Sequence, residues 1–259
     1  MRYFSRGRGA PPLVFVHGFT CDHTDWRFQV SHFQSQRQVV ACDLRGHGST
    51  PGRPEECTIG HYGGDVAALL GKLGSEKSIL VGHSMGCRVV LEAARLEPER
   101  VGAIVLIDGG RRLSADPARG VDYADFADAL FSQMFLRPSA QSQAIIARAK
   151  RMPAETAMAA WLSMVRWDAE HMEAALAAVR APLTAIQSTM INAEGKRVPL
   201  KAGQALPWFD LIRQHAPAAR LEIVPDSGHF TQLEAAASVN RLIGEACRSA
   251  GVPGRSAPL

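Results

Sequence analysis

What this sequence has little of narrows the field first. Its five cysteines, Cys21, Cys42, Cys57, Cys87 and Cys247, are an odd number, and no two have C-x-x-C spacing. That argues against a disulfide framework or a zinc site and for reduced, packed thiols in a cytoplasmic protein. Dense lysine or arginine blocks are missing: the net charge of +4 is spread over 259 residues, so nucleic acid is not an expected partner. No apolar run approaches membrane-spanning length, and the first nine residues lack the apolar stretch of a secretory signal. No membrane association is expected. Phosphate-binding glycine loops, metal-ligand clusters and internal repeats are also lacking, so no cofactor and no metal are expected. The remainder, 46% hydrophobic and 21% charged, suits one large globular domain or a domain carrying an insertion.

Short apolar runs then alternate with helical patterns. Strands are expected at Tyr3–Ser5, Leu13–Val16, Gln38–Cys42, Ser78–Val81, Val101–Ile107, Pro182–Gln187 and Arg220–Val224. Helices are expected at Trp26–Phe33, His61–Leu73, Cys87–Leu96, Ala205–His215 and Leu233–Cys247. The alternation stops from Arg111 to about Arg180, where apolar residues recur only at helical spacing. This predicts an α/β protein with a mostly parallel sheet, helices on both faces, and a small helical cap inserted after the strand ending at Asp108. Residues 1–110 and 181–248 are the expected core, 111–180 the cap, and 249–259 a loose tail.

The third long strand runs directly into Gly82-His83-Ser84-Met85-Gly86, with a helix following. A serine at the tip of so sharp a turn is held in a strained backbone conformation, and glycines two residues away remove the Cβ atoms that would obstruct it. The turn presents Ser84 Oγ at the carboxyl edge of the sheet. It also aims the Met85 N–H from a helix start, where negative charge is favoured. Ser84 is therefore the candidate nucleophile, and it needs a base, an acid to orient that base, and oxyanion donors. Among nine histidines the expected base is His229, in a loop after the last strand, where Gly228 lets the chain bend inward. His17, His47 and His83 stand in glycine-punctuated turns and are expected to hold local backbone. His32, His61, His171 and His215 fall in helical stretches and read as surface or packing residues.

Taken in order, these motifs resemble the α/β-hydrolases. The resemblance rests on His17-Gly18-Phe19 after the first long strand, Asp43-Leu44-Arg45-Gly46-His47-Gly48 after the next, the Ser84 elbow, and Gly228-His229 near the end. It covers nearly the whole chain and points to a capped serine hydrolase of the esterase, lactonase or carbon–carbon hydrolase branch. It implies an oxyanion hole made by the N–H groups of Phe19 and Met85, with His17-Gly18 shaping the turn.

The acid departs from the commonest family pattern, which puts an Asp just after the strand that follows the cap. Here the stretch Gln187–Glu194 contains none, and Ile191 stands where the acid belongs. Asp108 is the favoured acid, since it ends the strand beside that of Ser84, an arrangement resembling certain lactone hydrolases and cofactor-free ring-cleaving dioxygenases. Glu194 is the alternative, a few residues late and dependent on Gly195 to swing back. Asp226 is too close to His229 in sequence, and Asp210 falls on a helix.

Trp26, Met134 and Trp161 are candidate walls of a substrate pocket, with Phe131, Phe135 and Trp167 as further aromatic or packing residues. Arg111-Arg112 reads as a solvated charge pair in preference to a carboxylate site at the cap entrance. Cys87 reads as packing. The expected reaction is hydrolysis of a small apolar ester or lactone through an acyl-serine. The alternatives are carbon–carbon bond hydrolysis of a diketone, a cofactor-free oxygenase or perhydrolase, and a ligand-binding protein on the same fold.

Overall fold

A computed structural model describes residues 1–112 and 122–250. In chain order the first half comprises β1 (Arg2–Arg6), β2 (Leu13–Val16), α1 (Arg27–Phe33), β3 (Val39–Asp43), α2 (Ile59–Lys72), β4 (Ser78–His83), α3 (Met85–Leu96) and β5 (Val101–Ile107). Four helices follow: α4 (Tyr123–Ser132), α5 (Ala140–Arg151), α6 (Ala154–Glu170) and α7 (Met172–Ala177). The chain then returns through β6 (Leu183–Gln187), β7 (Thr189–Ile191), β8 (Arg197–Pro199), α8 (Pro207–His215), β9 (Arg220–Ile223), α9 (Thr231–Glu234) and α10 (Ala236–Ser249). Ser249 still belongs to α10, and the rest of the expected tail, 251–259, lies outside the described residues, as do 113–121 of the expected cap.

Seven strands form one sheet in the order β1-β3-β2-β4-β5-β6-β9. Only β1, at the edge, runs antiparallel to its neighbour. Strand residues alternate between two cores, as the two-residue period of a strand requires. Val14, Val16, Leu80, Ile104 and Leu106 pack with α2, α3 and α8 on one face. Leu13, Phe15, Ile79, Val81 and Val105 pack with Trp26, α1 and α10 on the other. Because both faces are buried, a one-residue slip of any central strand would exchange its two packing sets, which fixes the register.

Strands β2 and β4 are neighbours although β3 separates them in sequence. The chain therefore leaves β2 to one side for β3 and to the other for β4, and ligands of such sheets sit in the crevice at the carboxyl ends of strands flanking that reversal. One element was not expected from the sequence. β7 and β8 form a separate antiparallel hairpin directly after β6, closed by Asn192-Ala193-Glu194-Gly195 with Gly195 at φ +74°.

Candidate active site

Ser84 joins β4 to α3 at φ 54°, ψ −113°, a region that side chains other than glycine rarely occupy. The turn closes only because its flanks are bare. A Cβ on Gly82 would overlap the Gly86 carbonyl, and one on Gly86 would overlap the Val16 carbonyl of the adjacent strand. The loop after β2 approaches equally closely: a Cβ on Gly18 would lie 3.2 Å from that of Ser84 and 3.1 Å from His83 Nδ1. This brings Phe19 beside the serine. Met85 opens α3, so its N–H has no acceptor within the helix. His17 serves its turn, with Nδ1–H donating to the Gly18 carbonyl at 2.8 Å while Nε2 accepts from the Leu44 N–H at 3.0 Å.

His229 Nε2 lies 2.9 Å from Ser84 Oγ. The backbone of His229 is clamped from two sides. Its N–H donates to the Met134 carbonyl at 2.7 Å, and its carbonyl accepts from His83 Nε2 at 2.8 Å. Burial, reinforced by the Arg197 guanidinium and then by His83, Arg112 and Arg88, holds the His229 pKa well below the ordinary histidine value, so the ring is neutral at pH 7. Its other nitrogen, Nδ1, lies 3.1 Å from Arg197 Nη1. A guanidinium has only donors. Nδ1 must therefore accept, which places the single ring proton on Nε2, pointing at Ser84 Oγ.

Asp108 directly follows β5 at φ 48°, fully buried, with Oδ1 4.0 Å from His229 Nδ1. That is ion-pair range and longer than a hydrogen bond. Its donors come from elsewhere: the Ser188 N–H at 3.0 Å, the Ser188 hydroxyl at 2.9 Å, the Thr189 N–H at 3.3 Å, and the Thr231 hydroxyl. Burial nonetheless pushes its pKa up to about 6, against the pull of these donors. Glu194 lies exposed in the hairpin turn, and Asp226 and Asp210 are exposed as well.

Ser84 and His229 open onto a cavity of about 610 Å³. Met134 and Trp161 line it, with Leu130 and Met164 from the same helical segment and Trp208 from α8. Trp26 lies elsewhere, fully buried in the opposite core with its ring 4.9 Å from that of Phe15. Phe135 stacks on Phe230 at 4.6 Å, Phe131 packs against the same ring, and Trp167 Nε1 donates to Glu92. Arg111 and Arg112 are not a solvated pair: Arg111 binds Glu173 at 2.7 Å, and Arg112 lies over the Trp161 ring at 4.6 Å, both lining the cavity. Behind the elbow, Arg88 forks onto Asp168 of α6 at 2.7 and 2.6 Å. Cys87 is buried, its Sγ 3.2 Å from the Gly82 carbonyl, and its thiol pKa is pushed up to about 12.

A model of the alpha/beta hydrolase family matches residues 13–242. The chain belongs to the alpha/beta hydrolase family. Among curated relatives of this alpha/beta hydrolase is the dihydrolipoyllysine-residue acetyltransferase component of the acetoin cleaving system of Pseudomonas putida. It is 30% identical over 251 residues, covering 93% of this chain and 65% of that protein. The chain thus spans less than two thirds of that relative's length. Solved structures of like fold include a thermophilic esterase from Thermogutta terrifontis, with TM-score 0.79, 23% identity, and 97% and 94% of the two chains covered. The enol-lactonase from Burkholderia xenovorans LB400 aligns at TM-score 0.76 with 20% identity over 95% and 96%. Among the described residues, no helix of this alpha/beta hydrolase is long and apolar enough to cross a membrane.

Three polar residues of the site were not singled out from the sequence. Ser188 and Thr231 hold the Asp108 carboxylate, and Arg197 reaches the His229 ring. An Asn-x-x-Gly turn between short β-prone runs signals a hairpin, so β7–β8 of this alpha/beta hydrolase had a local trace. Nothing local marks where the Arg197 side chain ends.

Proposed function

We propose that this alpha/beta hydrolase cleaves a carboxylic ester or lactone through an acyl-serine, with Ser84 as nucleophile, His229 as base and Asp108 as the orienting acid. The contact of His229 Nε2 with Ser84 Oγ at 2.9 Å, on a serine held at positive φ, carries this reading. His229 takes the serine proton as Oγ attacks the carbonyl carbon. The N–H groups of Phe19 and Met85 then receive the developing oxyanion, each worth about 3–4 kcal/mol in the transition state. His229 returns the proton to the leaving alkoxide, which in a lactone stays tethered to the acyl group. Water, deprotonated by the same ring, releases the acid and restores Ser84.

In this scheme Nε2 must carry a lone pair when it meets Ser84, so the proton must reside on Nδ1, facing Asp108. Asp108 is suited to accept it because Ser188, Thr189 and Thr231 already fix its carboxylate. We assign residues 111–180 as the cap over a core of 1–110 and 181–248, in keeping with the cavity walls that Leu130, Met134, Trp161 and Met164 supply. The apolar part of the substrate would lie against those walls. Five buried free thiols favour a reducing compartment, the cytoplasm.

A fluorophosphonate probe tests the reading on the intact chain. One adduct is expected on Ser84, with none on Ser84→Ala, and that variant should lose about 10⁶-fold in kcat on an activated ester. Full turnover by Ser84→Ala, or turnover that requires O₂, would replace hydrolysis with cofactor-free oxygenation at this site.

A further inference from the structure

Among the described residues, the cavity wall carries four arginines, Arg88, Arg111, Arg112 and Arg197, against one carboxylate, Asp108. Two are neutralised, Arg88 by Asp168 and Arg111 by Glu173. Among the described residues, Arg112 and Arg197 have no carboxylate within ion-pair distance. Arg112 rests over the Trp161 ring. Arg197 donates only to neutral acceptors, Thr189 Oγ1 at 2.9 Å and His229 Nδ1 at 3.1 Å. Burial pulls Arg112 below the ordinary arginine value and Arg197 down to about 10. Two indole N–H groups in the same wall, those of Trp161 and Trp208, are buried without an acceptor among the described residues. Asp108 and Asp168 act on Arg197 and Arg112 only from beyond ion-pair distance, and buried cations without a paired counterion are costly. One buried acceptor, Gln187 Oε1, also lacks a partner, but among the described residues of this wall unpaired donors outnumber it. Its complement is a ligand bearing an anion rich in acceptor oxygens.

The position of Arg197 adds a second consequence. While it donates to Nδ1, the His229 proton sits on Nε2 and the ring cannot accept from Ser84. We propose that the substrate is an ester or lactone bearing a second, ionised carboxylate, which Arg112 and Arg197 hold, and that this carboxylate draws Arg197 off His229. The inference rests on the hydrolase reading above and names its substrate class. Once the guanidinium turns to the carboxylate, the ring proton exchanges onto Nδ1, Asp108 receives it as a hydrogen bond, and Nε2 is left to accept. Recognition and arming become one event. A neutral ester fills the cavity but meets a blocked base.

The test uses 4-nitrophenyl monoesters of glutaric, adipic and suberic acid beside the matching terminal carboxamides, which keep the length and lose the charge. For the chain length that fits, kcat/KM of the wild type should favour the acid by about 10- to 100-fold, the worth of charge-assisted hydrogen bonds. Arg112→Gln should shrink that preference, and Arg112→Lys should restore part of it. Arg197→Met should move the two esters in opposite directions: down for the acid and up about tenfold for the carboxamide, the gain expected when one charge-assisted bond to the base is removed. A merely structural role would lower both alike, and that result overturns the proposal. Acid and carboxamide within about twofold of each other at every length, with turnover still dependent on Ser84, also overturns it and leaves the hydrolase reading standing. Labelling of Ser84 without turnover of any member likewise overturns this proposal alone. No turnover and no fluorophosphonate adduct overturns both.

Discussion

Asp168→Asn removes one negative charge from the least accessible arginine–carboxylate pair among the described residues and changes almost nothing in volume. Asp168 is 0% and Arg88 5% exposed. The carboxylate accepts from Arg88 Nε at 2.7 Å, Arg88 Nη2 at 2.6 Å and the Arg112 N–H at 2.7 Å. An asparagine keeps one acceptor oxygen and turns an NH₂ toward a group that only donates. The variant therefore leaves a buried guanidinium uncompensated, at a cost of about 3–5 kcal/mol. For a chain of this size each kcal/mol moves Tm by about 2–4 °C, so the melt should fall by roughly 6–20 °C. Replacing both partners with apolar residues, Arg88→Met with Asp168→Leu, removes the stranded charge and should recover most of the loss. Urea and thermal unfolding of the wild type, Arg88→Met, Asp168→Leu and the double variant close the cycle, with Asp168→Asn measured beside them. A cost below about 1 kcal/mol for Asp168→Asn, or a double variant weaker than either single one, would refute the claim that this pair clamps α6 to the helix behind Ser84.

The choice of acid is tested by comparing Asp108→Asn with Glu194→Gln on an activated ester. The first should lose about 10⁴-fold in kcat, and the second, on an exposed turn, should match the wild type. Gly228→Ala would place a Cβ 2.6 Å from the Met134 carbonyl oxygen and 2.7 Å from the Leu136 nitrogen. That displaces the His229 loop, so kcat/KM should drop by about 10², with a loss of about 1–3 kcal/mol in stability from the overlap. Burial holds His17 near about 3 and His47 and His83 near about 4, against 6.5 when unfolded. The unfolded chain thus binds more protons below pH 6.5, and stability is lost as pH falls toward 4, by about 1.4 kcal/mol per pH unit for each group. Asp108, raised from 3.8 to about 6, has the opposite sign between those values and offsets one of the three. The urea midpoint should be lower at pH 5 than at pH 7, and a higher one would contradict the assignment of buried neutral rings.

The parts of this molecule governed by local sterics were legible in the sequence. Ser84 announces itself because a strained serine needs Gly82 and Gly86 beside it. The strands announce themselves because parallel strands buried on both faces are unbroken apolar runs. The place of Asp108 at the same sheet edge came through the resemblance, which sets its strand beside that of Ser84, as the pairing of β4 with β5 does. What escaped depends on where long side chains settle after folding. Arg197, in the β7–β8 hairpin, meets a ring 32 positions away in the loop after β9, and its sequence surroundings are those of any exposed turn. Arg111 and Arg112 look solvated until Glu173 and the Trp161 ring are brought to them. Trp26 illustrates the converse: an aromatic near a turn reads the same whether it walls a cavity or fills the core under it.

The hydrogen bond from the His229 N–H to the Met134 carbonyl ties the base loop to the chain just beyond α4. The wall that encloses the substrate and the loop that carries the base are therefore one mechanical unit. Any displacement of Met134 would thus be carried through this bond to the His229 ring, whose Nε2 lies 2.9 Å from Ser84 Oγ.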